Sequence, residues 1–360
     1  MNESVLFEPY PLKTLTLPNR MVMAPLTRGR AEADGTPNDL MARYYRQRAE
    51  AGLIVSEATA ISRGGVGWLG APGIYTDAHV AGWRKVTEAV HEAGGRIFLQ
   101  LWHMGRASHP DFLDGELPVA PSAVAADEWS HTPLGKKRYV VPRALELDEI
   151  PGIVNDYAAA AERARDAGFD GVEIHGANGY LIDQFLRDGS NRRTDAYGGS
   201  VANRARFLLE VTEAVCGAWS PDRVGVRLSP TGGYNDMHDS DPPATFIYAA
   251  DALSRFNLAY LHLMEALPGH PLAGTHERIS PMLRTIYRGT LIINGGFDAQ
   301  LAAAALARGE ADLVAFGMLF LANPDLVRRF REGAPLNTPD YATLYTPGPQ
   351  GYVDYPTLEV

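Results

Sequence analysis

Short apolar runs alternate with longer amphipathic stretches along most of the chain. Runs such as residues 171–174 predict buried strands, because parallel strands are covered on both faces and lose the polar alternation. We expect eight strands, at residues 21–24, 53–57, 96–101, 171–174, 223–228, 259–264, 290–294 and 312–316. Helices are predicted after them at residues 38–51, 78–93, 150–167, 201–218, 243–255, 279–287, 298–308 and 324–331. Eight such units predict an α/β fold, a closed (β/α)₈ or TIM barrel.

Three segments exceed a minimal barrel. Alternation at Leu15 and Leu17 predicts a small hairpin before the first barrel strand. Residues 102–149 are too long for an ordinary loop and predict an inserted lid over the site after strand three, with a hairpin near 137–141. The tail, 335–360, is expected to wrap the barrel. We therefore predict one domain over residues 1–360.

Composition narrows the class of protein. The 360 residues are 46% hydrophobic and 21% charged, as in a globular protein, and their net charge of −10 disfavours binding to nucleic acid or an acidic membrane. The sequence contains neither a secretory signal nor an apolar stretch of membrane-spanning length, so we expect a cytoplasmic protein. The single cysteine, Cys216, excludes an internal disulfide and an iron–sulfur cluster.

Candidate catalytic groups follow the predicted strand at 171–174. His175, Asn178 and Tyr180 would lie in the loop at its carboxyl end, separated by small residues. Imidazole and carboxamide both donate hydrogen bonds to an oxygen, and a phenol with a pKa of about 10 keeps its proton at neutral pH. These groups predict a site that polarises a carbonyl and protonates its neighbour. A core histidine beside an Asn-Gly turn is the alternative interpretation.

Residues 184–186 (QFL) and 190–207 (SNRRTDAYGGSVANRARF) closely resemble the signature of the Old Yellow Enzyme family of FMN-dependent ene-reductases. The resemblance implies tightly bound, non-covalent FMN and NADPH or NADH as reductant. It also implies ping-pong reduction of the activated C=C bond of α,β-unsaturated carbonyl compounds, with nitro compounds as further candidates. In that reaction His175 and Asn178 would hold the substrate oxygen and Tyr180 would protonate the carbon.

The resemblance also implies which residues contact the flavin ring. Pro25, Leu26 and Thr27 after strand one would lie against it, and the threonine places the chain in the classical branch of the family. Ala58 would permit close approach of the ring, and Gln100 would bind its pyrimidine edge. A strand-terminal turn is the alternative for residues 25–27.

Arg227 and two glycine-rich turns complete the predicted cofactor site. A buried arginine at a strand end needs an anion, and reduced flavin supplies one; a structural salt bridge is the alternative. Turns after strands seven and eight bind phosphate in such barrels through backbone N–H groups. We expect backbone donors around Gly295, Gly296 and Gly317 to hold the phosphate. The cofactor-binding residues assigned to these two turns are Asn294, Gly295, Gly296, Phe316, Gly317 and Met318. The family usually has arginine where Met318 stands, so this position is a departure.

Three aromatic residues are predicted to bind substrate: Trp68, Trp102 and Tyr345. Trp68 lies in a stretch that fits GxGxxG, but no helix follows, so we do not interpret it as a dinucleotide motif. Core packing is the alternative for Trp102, and simple packing for Tyr345.

No metal site is predicted, because His238, His262, His270 and His276 lack ligand spacing. The expected partner is a small electrophilic alkene, and the protein would be a monomer or homodimer. Two alternative functions stay open: a nitroester or nitroaromatic reductase, and a barrel that binds flavin or phosphate without redox turnover.

Overall fold

The computed structural model describes residues 3–270 and 277–359. The strands are β1 (Tyr10–Leu12), β2 (Leu15–Leu17), β3 (Met21–Met23), β4 (Leu53–Ala60), β5 (Ile97–Trp102), β6 (Val119–Ala120), β7 (Trp129–Thr132), β8 (Gly135–Arg138), β9 (Arg143–Ala144), β10 (Gly171–Gly176), β11 (Val224–Leu228), β12 (Tyr260–Met264), β13 (Leu291–Asn294) and β14 (Leu313–Phe316). The α-helices are α1 (Asp39–Arg46), α2 (Asp77–Glu92), α3 (Ile150–Asp166), α4 (Leu181–Leu186), α5 (Val201–Ala218), α6 (Pro242–Leu253), α7 (Ser280–Ile286), α8 (Ala299–Ala307), α9 (Met318–Ala322) and α10 (Leu326–Glu332).

Eight of these strands form a closed barrel in the order β10-β11-β12-β13-β14-β3-β4-β5. Neighbouring barrel strands are all parallel, so their carboxyl ends share one rim. The register pairs His175 with Arg227 and Glu173 with Gln100. The predicted TIM barrel is confirmed, and its register places residues from distant parts of the sequence side by side.

The opposite end of the barrel is closed by apolar side chains. The β1–β2 hairpin carries Leu12 and Leu17, which are fully buried against Val55 and Phe98 in the lower interior. Burying each such leucine contributes about 1.5–3 kcal/mol. The hairpin predicted from the leucine alternation therefore forms the floor of the barrel.

The predicted elements differ from the structure in several places. Strand β4 continues to Ala60 instead of ending at residue 57, because its pairing with β5 resumes at Ala58 after a register shift that follows Val55. Helices α4 and α9 were not predicted, since six and five residues are too few to show helical periodicity. The hairpin in the lid segment is formed by β7 and β8, a few residues before the predicted 137–141.

Part of the inserted segment packs beside the strand ends. Tyr139, just after β8, contacts a buried cluster that includes Ala58, Trp102 and Tyr180. These contacts support the lid interpretation of residues 102–149, although its division from the barrel stays a prediction. Among the helices in the described parts of the chain, none is long and apolar enough to cross a membrane.

Candidate active site

The carboxyl ends of the barrel strands surround a cavity of about 640 Å³. Predicted site residues from seven segments of the chain line it: Pro25, Leu26, Thr27, Ala58, Trp68, Gln100, His175, Asn178, Tyr180, Arg227 and Tyr345. Their sequence positions span more than three hundred residues, and only the barrel brings them together. The structure therefore places these predicted ring-contacting, catalytic and substrate-binding groups around one space.

His175 is the penultimate residue of β10 and is 3% exposed. Burial, with the positive charge of Arg227 nearby, holds its pKa well below the usual value for histidine. The backbone N–H of Ala177 donates a 3.3 Å hydrogen bond to its Nδ1, so Nδ1 is an acceptor without a proton. The neutral ring therefore carries its proton on Nε2, the atom that serves as donor.

The backbone of Asn178 is fixed from two sides. Its N–H donates to Ser229 Oγ at 2.7 Å, and its carbonyl accepts from Asn235 Nδ2 at 2.8 Å. Asn178 has a left-handed φ of 57°, and Gly179 follows with φ 74°, where an added Cβ would lie 2.6 Å from Met237 Cγ. The side chain of Asn178 is thus presented to the cavity by a rigid turn.

Tyr180 is 9% exposed and lies among other aromatic rings. Burial first, and then the neighbouring Tyr234 and Tyr139, raise the pKa of its phenol well above 10. Its ring makes edge contacts with His175 at 4.9 Å and Trp102 at 5.0 Å between centroids. Trp102 is 1% exposed and packs edge-on against Tyr180, and its predicted contact with substrate stays a prediction.

Gln100 is oriented by a buried carboxylate. Its Nε2 donates to Glu173 Oε1 at 2.7 Å, and His262 Nδ1 lies 2.8 Å from Glu173 Oε2. Burial alone would raise the pKa of Glu173, but His262 and Arg227 hold it below the usual value. Burial lowers the pKa of His262. Both pKa directions agree with an anionic Glu173 that accepts a hydrogen bond from a neutral His262. Because Glu173 binds the amide nitrogen of Gln100, the Gln100 carbonyl oxygen is left as an acceptor for the cavity.

Arg227 is a buried cation at the cavity rim, 5% exposed. Its Nη2 donates to Asn294 Oδ1 at 3.0 Å, and Asn294 in turn donates to the carbonyl of Ala315 at 2.8 Å. The buried Nε of Arg227 has no hydrogen-bond partner in residues 3–270 and 277–359. Asn294 therefore orients Arg227 and does not itself line the cavity, while the guanidinium keeps a donor for an anionic group.

The turns predicted to bind phosphate lie outside the lining of this cavity. Gly295 has φ 128°, and a Cβ there would lie 2.7 Å from Ala266 Cα, so the close backbone alone requires glycine. Phe316 is 2% exposed, with its ring 5.5 Å from Phe330, which makes it a core residue. Gly296, Gly317 and Met318 lie at the same rim, outside the cavity lining. The phosphate role of these residues stays a prediction.

Sequence reasoning did not find every residue at the site. Glu173 was passed over as part of an apolar strand, although a carboxylate inside a buried strand is itself a signal. Tyr234 and Arg187 also line the cavity and were missed. Tyr234 follows β11 in a turn-forming Thr-Gly-Gly stretch, and loops at this rim are where such barrels carry functional residues.

No group of three or more metal-ligating side chains occurs in the described residues. His262 is engaged with Glu173, and His238 lines the cavity without such a group. His276 lies outside the described residues. The expectation that no metal binds stays a prediction.

A closed parallel barrel whose strands carry a cavity with several polar side chains at their carboxyl ends defines a TIM-barrel enzyme. The chain belongs to the NADH:flavin oxidoreductase / NADH oxidase family, whose profile matches residues 5–337. It is 48% identical to a probable flavin mononucleotide-dependent alkene reductase of Leishmania infantum over 360 residues, 98% of each chain.

Solved structures agree with this assignment. An Old Yellow Enzyme homologue from Zymomonas mobilis superposes with a TM-score of 0.97 at 50% identity, covering 98% of this chain and 99% of its own. Morphinone reductase in complex with tetrahydroNAD gives a TM-score of 0.93 at 51% identity, covering 98% of each chain. The resemblance to the Old Yellow Enzyme family is confirmed over nearly the whole length.

Proposed function

We propose that this protein is an FMN-dependent oxidoreductase that uses NADH or NADPH to reduce the activated C=C bond of α,β-unsaturated carbonyl compounds. The observation that carries the proposal is the single cavity shared by His175, Asn178 and Tyr180 with Thr27 and Arg227. His175, Asn178 and Tyr180 supply hydrogen bonds and a proton to an electron-poor alkene. Thr27 and Arg227 suit a flavin ring.

The residues present fit FMN. Ala58, 4% exposed, leaves space for a planar ring, and the buried Nε of Arg227 without a protein partner suits an anionic ring edge. Thr27 and Gln100 supply further polar groups to the same cavity. Bound FMN would supply the redox chemistry, taking hydride equivalents from the nicotinamide and passing them to the alkene. The cavity volume, about 640 Å³, is in the range of small-molecule sites.

His175 and Asn178 would bind the carbonyl oxygen of the substrate. A neutral imidazole donates from Nε2, and a carboxamide donates from Nδ2. As negative charge develops on the oxygen, these two donors stabilise it, and such a donor contributes roughly 3–4 kcal/mol to the transition state. The Asn178 turn is already fixed by Ser229 and Asn235, so little ordering is needed when substrate binds.

Tyr180 would protonate the carbon next to the carbonyl. Its pKa above 10 keeps the phenol protonated, so the proton is present when the carbon becomes basic. The rings of Trp102 and His175 hold the phenol ring by edge contacts. Burial of these groups also limits access of water to the reacting carbon.

The phosphate site, the reductant, the location and the assembly of the protein are further parts of the proposal. Phosphate binding by backbone donors of Gly295, Gly296 and Gly317, without the family arginine at Met318, stays a prediction. So do the choice between NADPH and NADH, the cytoplasmic location, the single domain and the monomer or homodimer state. A small-molecule substrate accords with the size of the cavity.

The proposal is tested with purified protein reconstituted with FMN. Anaerobic NADH or NADPH should bleach the flavin absorbance, and 2-cyclohexenone should restore it with formation of cyclohexanone. A protein that binds no FMN, or whose reduced flavin is not reoxidised by the enone, contradicts the proposal. Running a nitrate ester in parallel separates ene-reduction from nitroester reduction on the same fold.

A further inference from the structure

The C-terminal tail reaches the cavity at Tyr345. This residue follows a single 3₁₀ turn, Tyr341–Thr343, and belongs to no helix or strand. Its ring meets that of Trp68 with centroids 5.2 Å apart and planes inclined at 65°, and both residues line the cavity. Because Tyr345 is 55% exposed, its own packing does not fix its place, and the contacts of the surrounding tail must do so.

Two buried arginines just after Thr27 bind this tail. Arg28 and Arg30 are 0% and 4% exposed. Arg28 donates to the carbonyls of Leu344 (3.2 Å) and Gly351 (2.7 Å), and Arg30 donates to those of Thr343 (2.7 Å), Leu344 (2.5 Å), Gly348 (3.5 Å) and Gln350 (3.3 Å). Charged donors to neutral carbonyls form strong hydrogen bonds away from water. The carbonyls on both sides of Tyr345 are therefore gripped by two side chains.

The same arginines are tied to the cavity wall. Arg30 Nη1 donates to the Arg28 carbonyl at 2.6 Å, and the backbone N–H groups of Arg28 and Gly29 donate to Glu57 Oε2 at 3.0 and 3.2 Å. Glu57 immediately precedes Ala58, which lines the cavity. The tail, the Thr27 turn and the end of β4 are thus joined through one buried network.

A second contact fixes the far end of the gripped segment. Tyr352 is fully buried and stacks on Tyr44, with centroids 4.1 Å apart and planes at 8°. The guanidinium carbons of Arg28 and Arg30 lie 5.1 and 4.7 Å from the Tyr352 ring centre, a cation–π distance. The segment 343–351 is therefore anchored at both ends, with Tyr345 between the anchors.

We propose that Arg28 and Arg30 are positioning residues that clamp segment 343–351 and thereby hold Tyr345 against Trp68 as one wall of the cavity. The clamp determines how large a substituent the site admits on that side. This inference rests on the proposed function for its substrate readout, whereas the clamp itself is measured without substrate. Loosening it removes contacts made equally in the ground and transition states, which raises KM more than it lowers kcat.

The first measurement is amide hydrogen exchange of peptides covering 341–355 in the FMN-loaded protein. Arg30→Gln should speed exchange in these peptides, and Arg30→Lys, which keeps the charge but loses the forked donors, should fall between. Arg328→Gln is the matched control, because Arg328 also donates to tail carbonyls, at Leu358 (3.5 Å) and Glu359 (3.2 Å), beyond Tyr345. It should leave exchange at 341–355 unchanged.

The second measurement compares 2-cyclohexenone with 4-phenyl-2-cyclohexenone. In Arg30→Gln, KM for 2-cyclohexenone should rise about three- to tenfold while kcat stays within about twofold. The preference for the small enone, given by kcat/KM for 2-cyclohexenone divided by kcat/KM for 4-phenyl-2-cyclohexenone, should therefore fall. Tyr345→Ala should lower the same preference without speeding amide exchange at the two ends of segment 343–351.

Unchanged exchange at 341–355 in both Arg30 variants overturns the clamp. An unchanged substrate ratio in Tyr345→Ala overturns its role in selecting substrates. If Arg30→Gln does not fold, Arg30→Lys and Tyr345→Ala still decide both points. Absence of any enone turnover in the unaltered protein would defeat the proposed function, yet the exchange measurement would still support or overturn the clamp.

Discussion

Gln100 Nε2 lies 2.7 Å from a carboxylate oxygen of Glu173; both side chains are buried, and Gln100 lines the cavity. Glu173 is held in its anionic form by His262 and Arg227, so a negative charge sits under the proposed pyrimidine edge of the flavin. This charge opposes the positive field of Arg227 at the same place. The pair therefore both orients the amide and moderates the electrostatics of the site.

Replacing Glu173 by glutamine tests this balance. Without the anion, Arg227 acts unopposed, so negative charge on reduced flavin is stabilised and the midpoint potential of bound FMN should rise by about 30 mV or more, a tenfold change in a two-electron equilibrium. Equilibration with a reference dye measures it. Glu210→Gln, at a carboxylate that accepts from the Tyr197 hydroxyl away from the cavity, is the control. A lower or unchanged potential in Glu173→Gln contradicts the assignment.

Removing the oxygen-binding donors should slow alkene reduction while leaving the flavin bound. We expect His175→Ala or Asn178→Ala to reduce the rate of enone-dependent reoxidation by roughly 10²- to 10³-fold. Stopped-flow mixing of reduced enzyme with 2-cyclohexenone gives this rate, and the visible spectrum checks FMN retention. Reoxidation at the original rate in the double variant would show that the substrate oxygen binds elsewhere.

The pH dependence should be flat where histidine and tyrosine usually titrate. His175 has a lowered pKa, so it is already neutral well below pH 6.5, and Tyr180 has a raised pKa, so it stays protonated beyond pH 10. The enone half-reaction should then show no inflection between about pH 6.5 and 10. A break near pH 6.5 that disappears in His175→Ala would contradict the neutral-donor assignment.

Tyr180→Phe should slow the reaction less than loss of His175, because water can donate the proton instead.

Met318 provides a test of the phosphate prediction. Introducing the family arginine by Met318→Arg adds a cation where backbone donors are proposed to act, so FMN affinity should increase about tenfold or more while riboflavin affinity changes little. Fluorescence titration of the apoprotein with each flavin measures both affinities. Equal affinities for FMN before and after the change would show that a charge for the phosphate is already supplied elsewhere.

Buried histidines should make the fold sensitive to mild acid. Burial lowers the pKa of His103 to about 4, and its Nδ1 accepts from the Gly105 N–H at 3.1 Å. Its folded pKa lies below the unfolded value of about 6.5, so this stabilisation is complete above pH 6.5 and declines as the pH falls toward 4. Between pH 7 and 5 the unaltered protein should lose about 2 kcal/mol more than His103→Gln in urea denaturation. An identical loss of stability in both proteins would show that His103 is not the source of the acid sensitivity.

The barrel was predictable from sequence because its strands are unbroken apolar runs and its helices are long enough to show periodicity. His175, Asn178 and Tyr180 were predictable because they follow one such strand directly. Sequence does not tell which face of the rim an aromatic ring occupies, so the edge contact of Trp102 with Tyr180 was not predictable, and its contact with substrate stays a prediction. The arginine grip on the tail depends on backbone carbonyls more than 300 residues away, which leave no trace in side-chain pattern.

The most direct test is an experimental structure of the FMN-loaded protein with an enone, or an unreactive enone analogue, in the cavity. The geometry described above predicts that the carbonyl oxygen lies within about 3.2 Å of both His175 Nε2 and Asn178 Nδ2, with the Tyr180 hydroxyl next to the adjacent carbon. A carbonyl bound to Arg227 or directed away from His175, or a flavin ring lying outside the space around Thr27, Ala58 and Gln100, would contradict it.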